Sequence, residues 1–357
     1  MLYAMRRHRL RAKCVTVESE ALLITAPPNV RYLSGCSLPG SVLLLTAHRD
    51  VLVRPIPSAD SPCRSTPDPP ETQAMTVVSC GTGKALVTAV QTAEDCNSAS
   101  LRVEERHLSV SDHRLIRATA PGLHLIGLET TVEDFRRVKD EQEIGNLRKA
   151  AAVAGEVLRE FMGTWVLGRS EAHLSLELEH RVADQGATGA EFRASAGSGP
   201  HSGGMDHTPT RRRVRTGDFL SIRLGVIRGG YHCEVARTFV IGADPQPWQI
   251  DTYGTAFQAQ RSIREHLRTG AAFLAPPRGE ESSPVCTVHG LGLEPREEPH
   301  FDAQGTVDPC TAVVAACSFR RTGLGGVLIG DTLITSPKAG RPPELLTTTP
   351  KDLIRLP

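Results

Sequence analysis

Two charged side chains, Arg223 and Glu234, lie in stretches of mostly apolar or small residues, where they could bind an ion or a polar ligand. The pattern predicts two strands, Phe219 to Val226 and Tyr231 to Val240, joined by a turn at Gly229-Gly230. A charge in a half-buried strand needs a partner, because burying it unpaired is costly. The function of the chain therefore depends on what these two charges contact.

Composition excludes several classes of protein. The 357 residues are 39% apolar and 23% charged, which is typical of a soluble globular chain of one large domain or two ordinary ones. The net charge of +1 provides no field that would attract nucleic acid or a membrane. We expect neither secretion nor membrane insertion, because the sequence has no signal-peptide pattern and no stretch of about 18 apolar residues. Nine scattered Cys without a C-x-x-C pair predict reduced thiols in the cytoplasm.

The elements that must position the two charges fall into two predicted domains, residues 1–129 and 130–357. In the first domain, an apolar strand within residues 19–33 is stopped by Pro27-Pro28, and a loop covers Ser58 to Gln73. Further strands are predicted at Ser41 to Thr46, Asp50 to Ile56, Leu101 to Glu104 and Leu123 to Leu128.

Helices are predicted to open the second domain. Asp140 and Glu143 form a capping-box pattern, and apolar residues follow it at helical spacing. Ser170 begins another helix, which Gly186 ends. Residues 271–284, in contrast, contain three prolines and cannot sustain a helix.

The hairpin resembles a known family. Its phrases G-D-F-L-S-I-R-L-G and G-G-Y-H-C-E-V-A-R-T-F-V-I-G are similar to the central hairpin of the Xaa-Pro peptidase and creatinase family, the pita-bread peptidases. P-N-V-R-Y-L-S-G at residues 28–35 and H-G-L-G-L-E from His289 also match, so the resemblance covers most of the chain. It implies an α/β (α+β) fold, with a small N-terminal creatinase-like α/β domain and a pita-bread domain whose curved antiparallel sheet is covered by helices. In that family a helix precedes the metal-binding His, and the shortened segment after Gly270 predicts that one wall of the site is open.

The resemblance also implies a change in chemistry. Active members hold two divalent metals with two Asp, one His and two Glu, and these positions fall on Arg223, Glu234, His289, Ala316 and Gly330 here. One Glu and one His cannot hold two divalent ions beside an Arg, because repulsion opposes it by several kcal/mol at an effective dielectric of about 20. We therefore predict no metal and no cofactor, with Arg223 paired to Glu234 across the hairpin.

Two interpretations of these residues stay open. The Arg223–Glu234 pair fills an inactive site, or Arg223 holds an anionic ligand such as a carboxylate. The histidines are relicts, or they perform metal-free acid–base catalysis as in creatinases, whose catalytic His matches Asp206. The candidate catalytic residues are His207, His289, Glu234 and Asp206. The candidate substrate-binding residues are Arg223, His201, Arg296 and Glu297.

Three functions follow from these alternatives. The favoured one is a non-peptidase family member with a binding, scaffold or relict role. The second is a metal-independent, creatinase-like hydrolase or lyase that acts on a small amino-acid-like substrate, and the third is a residual Xaa-Pro dipeptidase. The expected partners are a small carboxylate or amino-acid-like ligand and a second copy of the chain in a homodimer, with no nucleic acid and no membrane.

Overall fold

The computed structural model describes residues 2–15, 17, 19–56, 75–189, 194–273, 283–301 and 305–357. The chain divides into two compact units, Met1–Arg136 and Arg137–Pro357. The boundary predicted at residues 129 and 130 lies a few residues before this division. The loop predicted from Ser58 to Gln73 lies outside the described residues.

The first unit contains a six-stranded mixed sheet in the order β4-β3-β2-β1-β5-β6. β1–β2 and β2–β3 are antiparallel pairs, and the other three pairs are parallel. The strands are β1 (Glu20–Ile24), β2 (Val42–Leu45), β3 (Asp50–Pro55), β4 (Thr76–Cys80), β5 (Ser100–Val103) and β6 (His124–Gly127). The helices are α1 (Leu2–Cys14), α2 (Pro27–Ser34), α3 (Ala85–Asp95), α4 (Val110–Thr119) and α5 (Thr131–Arg137).

The five strands predicted in this unit are confirmed, but β4 and all five described helices were not predicted. The prolines that stop β1 begin α2, because a proline in the first helical turn leaves no donor unsatisfied and has a suitable φ. The arginine-rich start forms α1, where Arg6 donates to the Tyr32 carbonyl at 2.9 Å and Arg7 pairs with Asp50 at 2.6 Å. These contacts depend on residues far along the chain, so the local pattern does not reveal them.

The second unit contains a ten-stranded sheet with the main path β13-β12-β15-β16-β10-β9-β7. β8 pairs with β9, β17 with β16 and β18 with β10, and only the β10–β18 pair is parallel among these described strands. Its strands are β7 (Thr188–Gly189), β8 (Ser195–Ser198), β9 (Phe219–Arg228), β10 (Tyr231–Ile241), β12 (Val285–Gly290), β13 (Glu297–His300), β15 (Ala312–Arg321), β16 (Gly325–Ile334), β17 (Glu344–Leu345) and β18 (Arg355–Leu356). A separate pair consists of β11 (Ala272–Phe273) and β14 (Gly305–Thr306).

The described helices of this unit are α6 (Glu141–Met162), α7 (Glu171–Asp184), α8 (Pro247–His266) and a 3-10 turn at Gly199–His201. The predicted capping box is confirmed, since Asp140 accepts from the Glu143 amide at 3.0 Å and Glu143 accepts from the Asp140 amide at 3.1 Å. Ser170 likewise caps α7. The segment predicted to lack a helix after Gly270 falls mainly on residues 274–282, which are not described. Among the described helices, none has the length and apolarity that crossing a membrane requires.

The predicted hairpin is confirmed as β9 and β10. Gly229 and Gly230 have φ of 58° and 80°, the left-handed conformation that a two-residue type I′ turn requires and that glycine adopts without strain. The ladder between the strands is continuous from Tyr231 opposite Arg228 to Val240 opposite Phe219. This register determines which side chains meet at the site.

One cysteine prediction is wrong. Cys286 and Cys317 form a disulfide, because they lie directly opposite each other on β12 and β15 with their Cα atoms 4.1 Å apart. They are separated by 31 residues in sequence, so only the strand register reveals the pairing. The other cysteines in the described ranges are free thiols.

A buried charge network lies near the layer between α8 and the sheet. Ile263 of α8 packs against Val313 and Ala315 of β15. Nearby, the Asp331 carboxylate is contacted by Arg237 (2.9 Å), Gln260 (2.7 Å), Thr347 (2.8 Å) and Lys351 (2.5 Å). Burial would raise the pKa of Asp331, but the charges of Arg237 and Lys351 hold it below its ordinary value.

We predict that Asp331→Ala lowers the free energy of unfolding by about 3–5 kcal/mol, because it leaves two buried cations without their carboxylate. Chemical unfolding monitored by circular dichroism measures this loss. Asp244→Ala is the matched control, since it removes an exposed Asp244–Arg355 pair at 3.0 Å and should cost less than about 1 kcal/mol. Similar losses for the two variants would contradict the role assigned to the network.

Candidate functional site

The predicted ion pair between the two strands is confirmed. Arg223 donates from Nε to Oε1 of Glu234 at 2.7 Å and from Nη2 to Oε2 at 3.0 Å. The side chains are 14% and 7% exposed, respectively. A planar guanidinium that grips both oxygens of a carboxylate is among the strongest hydrogen-bonded pairs in proteins. Both Glu234 oxygens are therefore engaged.

Strand register explains why these two residues meet. Arg223 lies opposite Ala236, and Glu234 lies opposite Gly225, so the two charges are diagonal neighbours on one face of the hairpin. Diagonal neighbours are within reach of long side chains. The small residues opposite the two charges leave space for the guanidinium and the carboxylate to meet between the strands.

The Met205–Asp206 segment also contacts the pair. Arg223 Nη1 donates to the Met205 carbonyl at 3.0 Å, and the Thr287 hydroxyl contacts the Met205 sulfur at 3.9 Å. Burial would lower the pKa of Arg223, but its hydrogen bonds to Glu234 and the charges of Glu234 and Asp206 raise that pKa above its ordinary value. The guanidinium thus stays charged.

Small side chains fill the row of positions next to Arg223. Direct cross-strand partners run from Arg223 to Ala236, Gly330, Ala316 and Thr287, and we call these five residues the site row. Directly opposite residues share a sheet face. A Cβ added at Gly330 would lie 3.2 Å from the Ala316 Cβ and 3.3 Å from the Ala236 Cβ. A carboxylate at Gly330 would therefore require its neighbours to move.

The residues present do not fit a dinuclear metal centre. Of the five positions where the resemblance places metal ligands, Arg223, Ala316 and Gly330 offer none. Glu234 could ligate, but both its oxygens accept hydrogen bonds from Arg223. A divalent ion would have to displace a buried guanidinium from Glu234, and the site row contains no carboxylate.

His289 lies on β12, the strand that also carries Thr287 of the site row. Its Nδ1 is 3.1 Å from the Gly290 carbonyl, which can only accept, so Nδ1 carries the proton of the neutral ring and Nε2 is the basic nitrogen. Burial lowers the pKa of His289, and the charges of Arg296 and Arg223 lower it further, while Glu234 and the Gly290 hydrogen bond raise it in part. The imidazole is consequently neutral at neutral pH.

His201 and His207 contact a different carboxylate. Nδ1 of His201 lies 3.0 Å from Oε1 of Glu171, and Nε2 of His207 lies 3.1 Å from its Oε2. The two imidazole rings are 5.1 Å apart. The structure therefore does not bring these histidines into hydrogen-bond contact with Arg223 or Glu234. Their predicted catalytic and substrate-binding roles stay predictions.

Glu171 is the residue that sequence reasoning missed. Its side chain is fully buried, and it accepts from the amide and hydroxyl of Ser198, both at 2.8 Å, and of Thr210, at 3.0 and 2.7 Å. Burial would raise the pKa of Glu171, but these hydrogen bonds hold it at about 2. Its only sequence signal is an acidic residue directly after the Ser170 cap, which by itself predicts no more than a helix start.

The two remaining candidates differ in their surroundings. Glu297 is buried and pairs with Lys139 at 2.5 Å, with side-chain exposures of 5% and 0%. Arg296 is exposed, although its charge still acts on His289. Glu297 thus has a structural partner, and the substrate-binding role of both residues remains a prediction.

Mutation of the ion pair tests its energetics. We predict that Arg223→Met and Glu234→Met each destabilise the chain by about 3–5 kcal/mol, because each leaves a buried charge unpaired, whereas the double variant loses far less than the sum. Urea unfolding of the four proteins gives the coupling energy. The Arg148–Glu344 pair is a geometric control, since it is also bidentate but 55% and 49% exposed, and its coupling should stay below about 1 kcal/mol. Additive losses at Arg223 and Glu234 would contradict the prediction.

Acid tests the Glu171 cluster. The pKa of Glu171 falls from 4.5 to about 2 on folding. A lowered pKa contributes stability above the unfolded value, and this contribution is lost as the pH falls through the folded value. The stability difference between wild type and Glu171→Gln should therefore narrow by up to about 3 kcal/mol between pH 5 and pH 2. Denaturant unfolding across this range measures it, and a constant difference would refute it.

Comparison with known proteins agrees with this architecture. The family model described as Metallopeptidase family M24 matches residues 145–336, and the Creatinase/Prolidase N-terminal domain model matches residues 6–138. An uncharacterised peptidase of Bacillus subtilis, YqhT, is 22% identical over 370 residues, covering 99% of this chain and 100% of that protein.

Solved structures share the fold. An Xaa-Pro dipeptidase from Bacillus anthracis superposes with a TM-score of 0.82 at 22% identity, over 99% of this chain and all of that one. An X-Pro aminopeptidase from Thermotoga maritima also gives 0.82, at 20% identity, over 98% of this chain and all of that one. The predicted fold is confirmed: a creatinase-like N-terminal α/β domain precedes a pita-bread domain with an antiparallel sheet. Because the M24 model matches more than half of its residues, this chain belongs to metallopeptidase family M24.

Proposed function

We propose that this chain is a non-peptidase member of the M24 family, in which an arginine takes the place of the metal pair and the protein has a binding or scaffold role. The bidentate contact of Arg223 with both oxygens of Glu234 carries the proposal. It occupies a carboxylate that a catalytic metal would need. Ala316 and Gly330 stand where two further carboxylates would complete the metal site.

Several similar proteins are named as peptidases or dipeptidases. Residual peptidase activity is therefore the alternative function that an assay must exclude. A pita-bread peptidase depends on metals to activate water and polarise the peptide carbonyl. Here Arg223 adds a positive charge where those ions would add four. Two like unit charges about 4 Å apart repel by about 4 kcal/mol at an effective dielectric of about 20.

A second candidate is a metal-independent hydrolase or lyase on an amino-acid-like substrate. His289 favours it, because its neutral ring presents a basic Nε2 near the charge of Glu234. The carboxylate of Glu234 is paired, however, and His207 contacts Glu171. This candidate therefore depends on His289 and on the nearby Asp206.

One assay series separates these functions. The protein should not cleave an Xaa-Pro dipeptide, either without metal or with Mn²⁺, Co²⁺ or Zn²⁺, because three of the five positions of a dinuclear site offer no ligand. A prolidase loaded with the same ions is the positive control. Turnover that requires metal and is lost in His289→Ala would overturn the proposal. Metal-free turnover of creatine or related amidino acids that is lost in the same variant would establish the second candidate instead.

The predicted small carboxylate ligand and homodimer remain proposals. A carboxylate that binds Arg223 must compete with Glu234 for the same guanidinium edge, which predicts weak binding. Equilibrium dialysis with wild type and Arg223→Met tests the ligand. Sedimentation at several concentrations tests the dimer, and a monomer at every concentration would exclude it.

A further inference from the structure

We propose that Glu171, His201 and His207 form a binding site for one divalent transition-metal ion of the zinc type. Their potential ligand atoms all lie within 4.8 Å of one another. The site uses none of the residues that hold metals in pita-bread peptidases. It is therefore independent of whether the Arg223–Glu234 proposal holds.

The spacing of the donor atoms suits a metal. Nδ1 of His201 and Nε2 of His207 both lie 3.1 Å from the same oxygen of Glu171, Oε2. Ligand atoms bound to Zn²⁺ at about 2.0–2.1 Å in a tetrahedral site lie about 3.3 Å apart. An ion would thus require shifts of only a few tenths of an ångström at these two pairs.

The donor types also suit this class of ion. Two imidazoles and one carboxylate form the ligand set of many zinc sites, in which water or substrate occupies the fourth position. The His201 side chain is 39% exposed, while Glu171 is fully buried. An ion can therefore enter from the His201 side and meet a carboxylate at the buried end of the site.

The surrounding residues hold the ligands in place. Ser198 and Thr210 fix both oxygens of Glu171 through two amides and two hydroxyls, as residues around a metal site orient its ligands. Ser195 binds the His207 carbonyl at 2.8 Å. A side chain at Gly197 would approach within 3.0 Å of the His207 ring and 2.8 Å of the His201 carbonyl. Glycine at this position lets both histidines approach Glu171.

The charges around Glu171 are compatible with one divalent ion at this site but not with two. Arg212 lies near the cluster, where it donates to Ser198 at 2.6 Å, but its guanidinium also pairs with both oxygens of Asp218 at 2.6 and 3.0 Å. Asp218 thus offsets its charge, and the Glu171 carboxylate faces the ion. Binding replaces the two imidazole contacts to Glu171 and needs the tautomers in which Nδ1 of His201 and Nε2 of His207 are unprotonated.

Cobalt titration of the chelator-treated full-length protein tests the proposal. One equivalent of Co²⁺ should give the visible bands of a four- or five-coordinate ion, and Zn²⁺ should displace it. His201→Ala and His207→Ala should each weaken binding at least about tenfold. His180 is an exposed histidine on α7, the helix that also carries Glu171. His180→Ala should therefore leave metal binding unchanged.

The controls also separate this site from the pita-bread metal positions. His289→Ala should retain the bound equivalent, and a loss of binding in that variant would place the ion elsewhere and refute the proposal. So would the absence of binding to wild type, or equal affinity in wild type, His201→Ala and His207→Ala. Thermal melts check folding, and Zn²⁺ should raise the Tm of wild type but not of His201→Ala.

Discussion

A charge is costly to bury unless an opposite charge or several hydrogen bonds compensate it, and the Arg223–Glu234 pair shows the consequence most clearly. Neither side chain could stay between the strands alone, because desolvation of a single charge exceeds what the sheet contributes there. The register of the hairpin makes the pair possible, since small residues oppose both positions. Once paired, Glu234 has both oxygens engaged, and the site row contains no carboxylate. Each member of the pair thus compensates the buried charge of the other, and this contact is the basis of the function proposed above.

The same constraint recurs elsewhere in the unit with different outcomes. Asp331 is surrounded by two cations and Glu297 has Lys139, so these carboxylates are fixed as charged groups. Glu171 differs, because its closest ionisable contacts among the described residues are two imidazoles rather than a permanent cation. Neutral imidazole is a ligand as well as a hydrogen-bond donor. A metal ion could replace the imidazole contacts of such a carboxylate, whereas a carboxylate held by arginine has both oxygens engaged by a permanent cation.

Local signals predicted some of the elements, but they missed α1 to α5 and α8 and could not give most of the tertiary contacts. The Gly229-Gly230 turn and the Asp140 cap determine backbone conformation over a few residues, so the hairpin and α6 could be read from sequence. Arg237 also lies on the hairpin, but its carboxylate is 94 residues away on β16, and no periodicity links the two. The sequence analysis missed the disulfide and the Glu171 cluster for the same reason. Each depends on strand register or on loops that converge from distant parts of the chain.

Alternation along β15 and β16 separates the positions that form the core from those where the family resemblance places metal ligands. Ala315 and Cys317 pack towards α8, whereas Ala316 between them belongs to the site row. Ile329 is likewise in an apolar cluster, while Gly330 lies in the site row. Because successive side chains of a strand point to opposite faces, substitution of the ligand positions leaves the core-facing positions intact. The residues that make the pita-bread fold and those that would make it a metallopeptidase thus share strands but not faces, so sequence similarity over the strands reports the fold more reliably than the reaction.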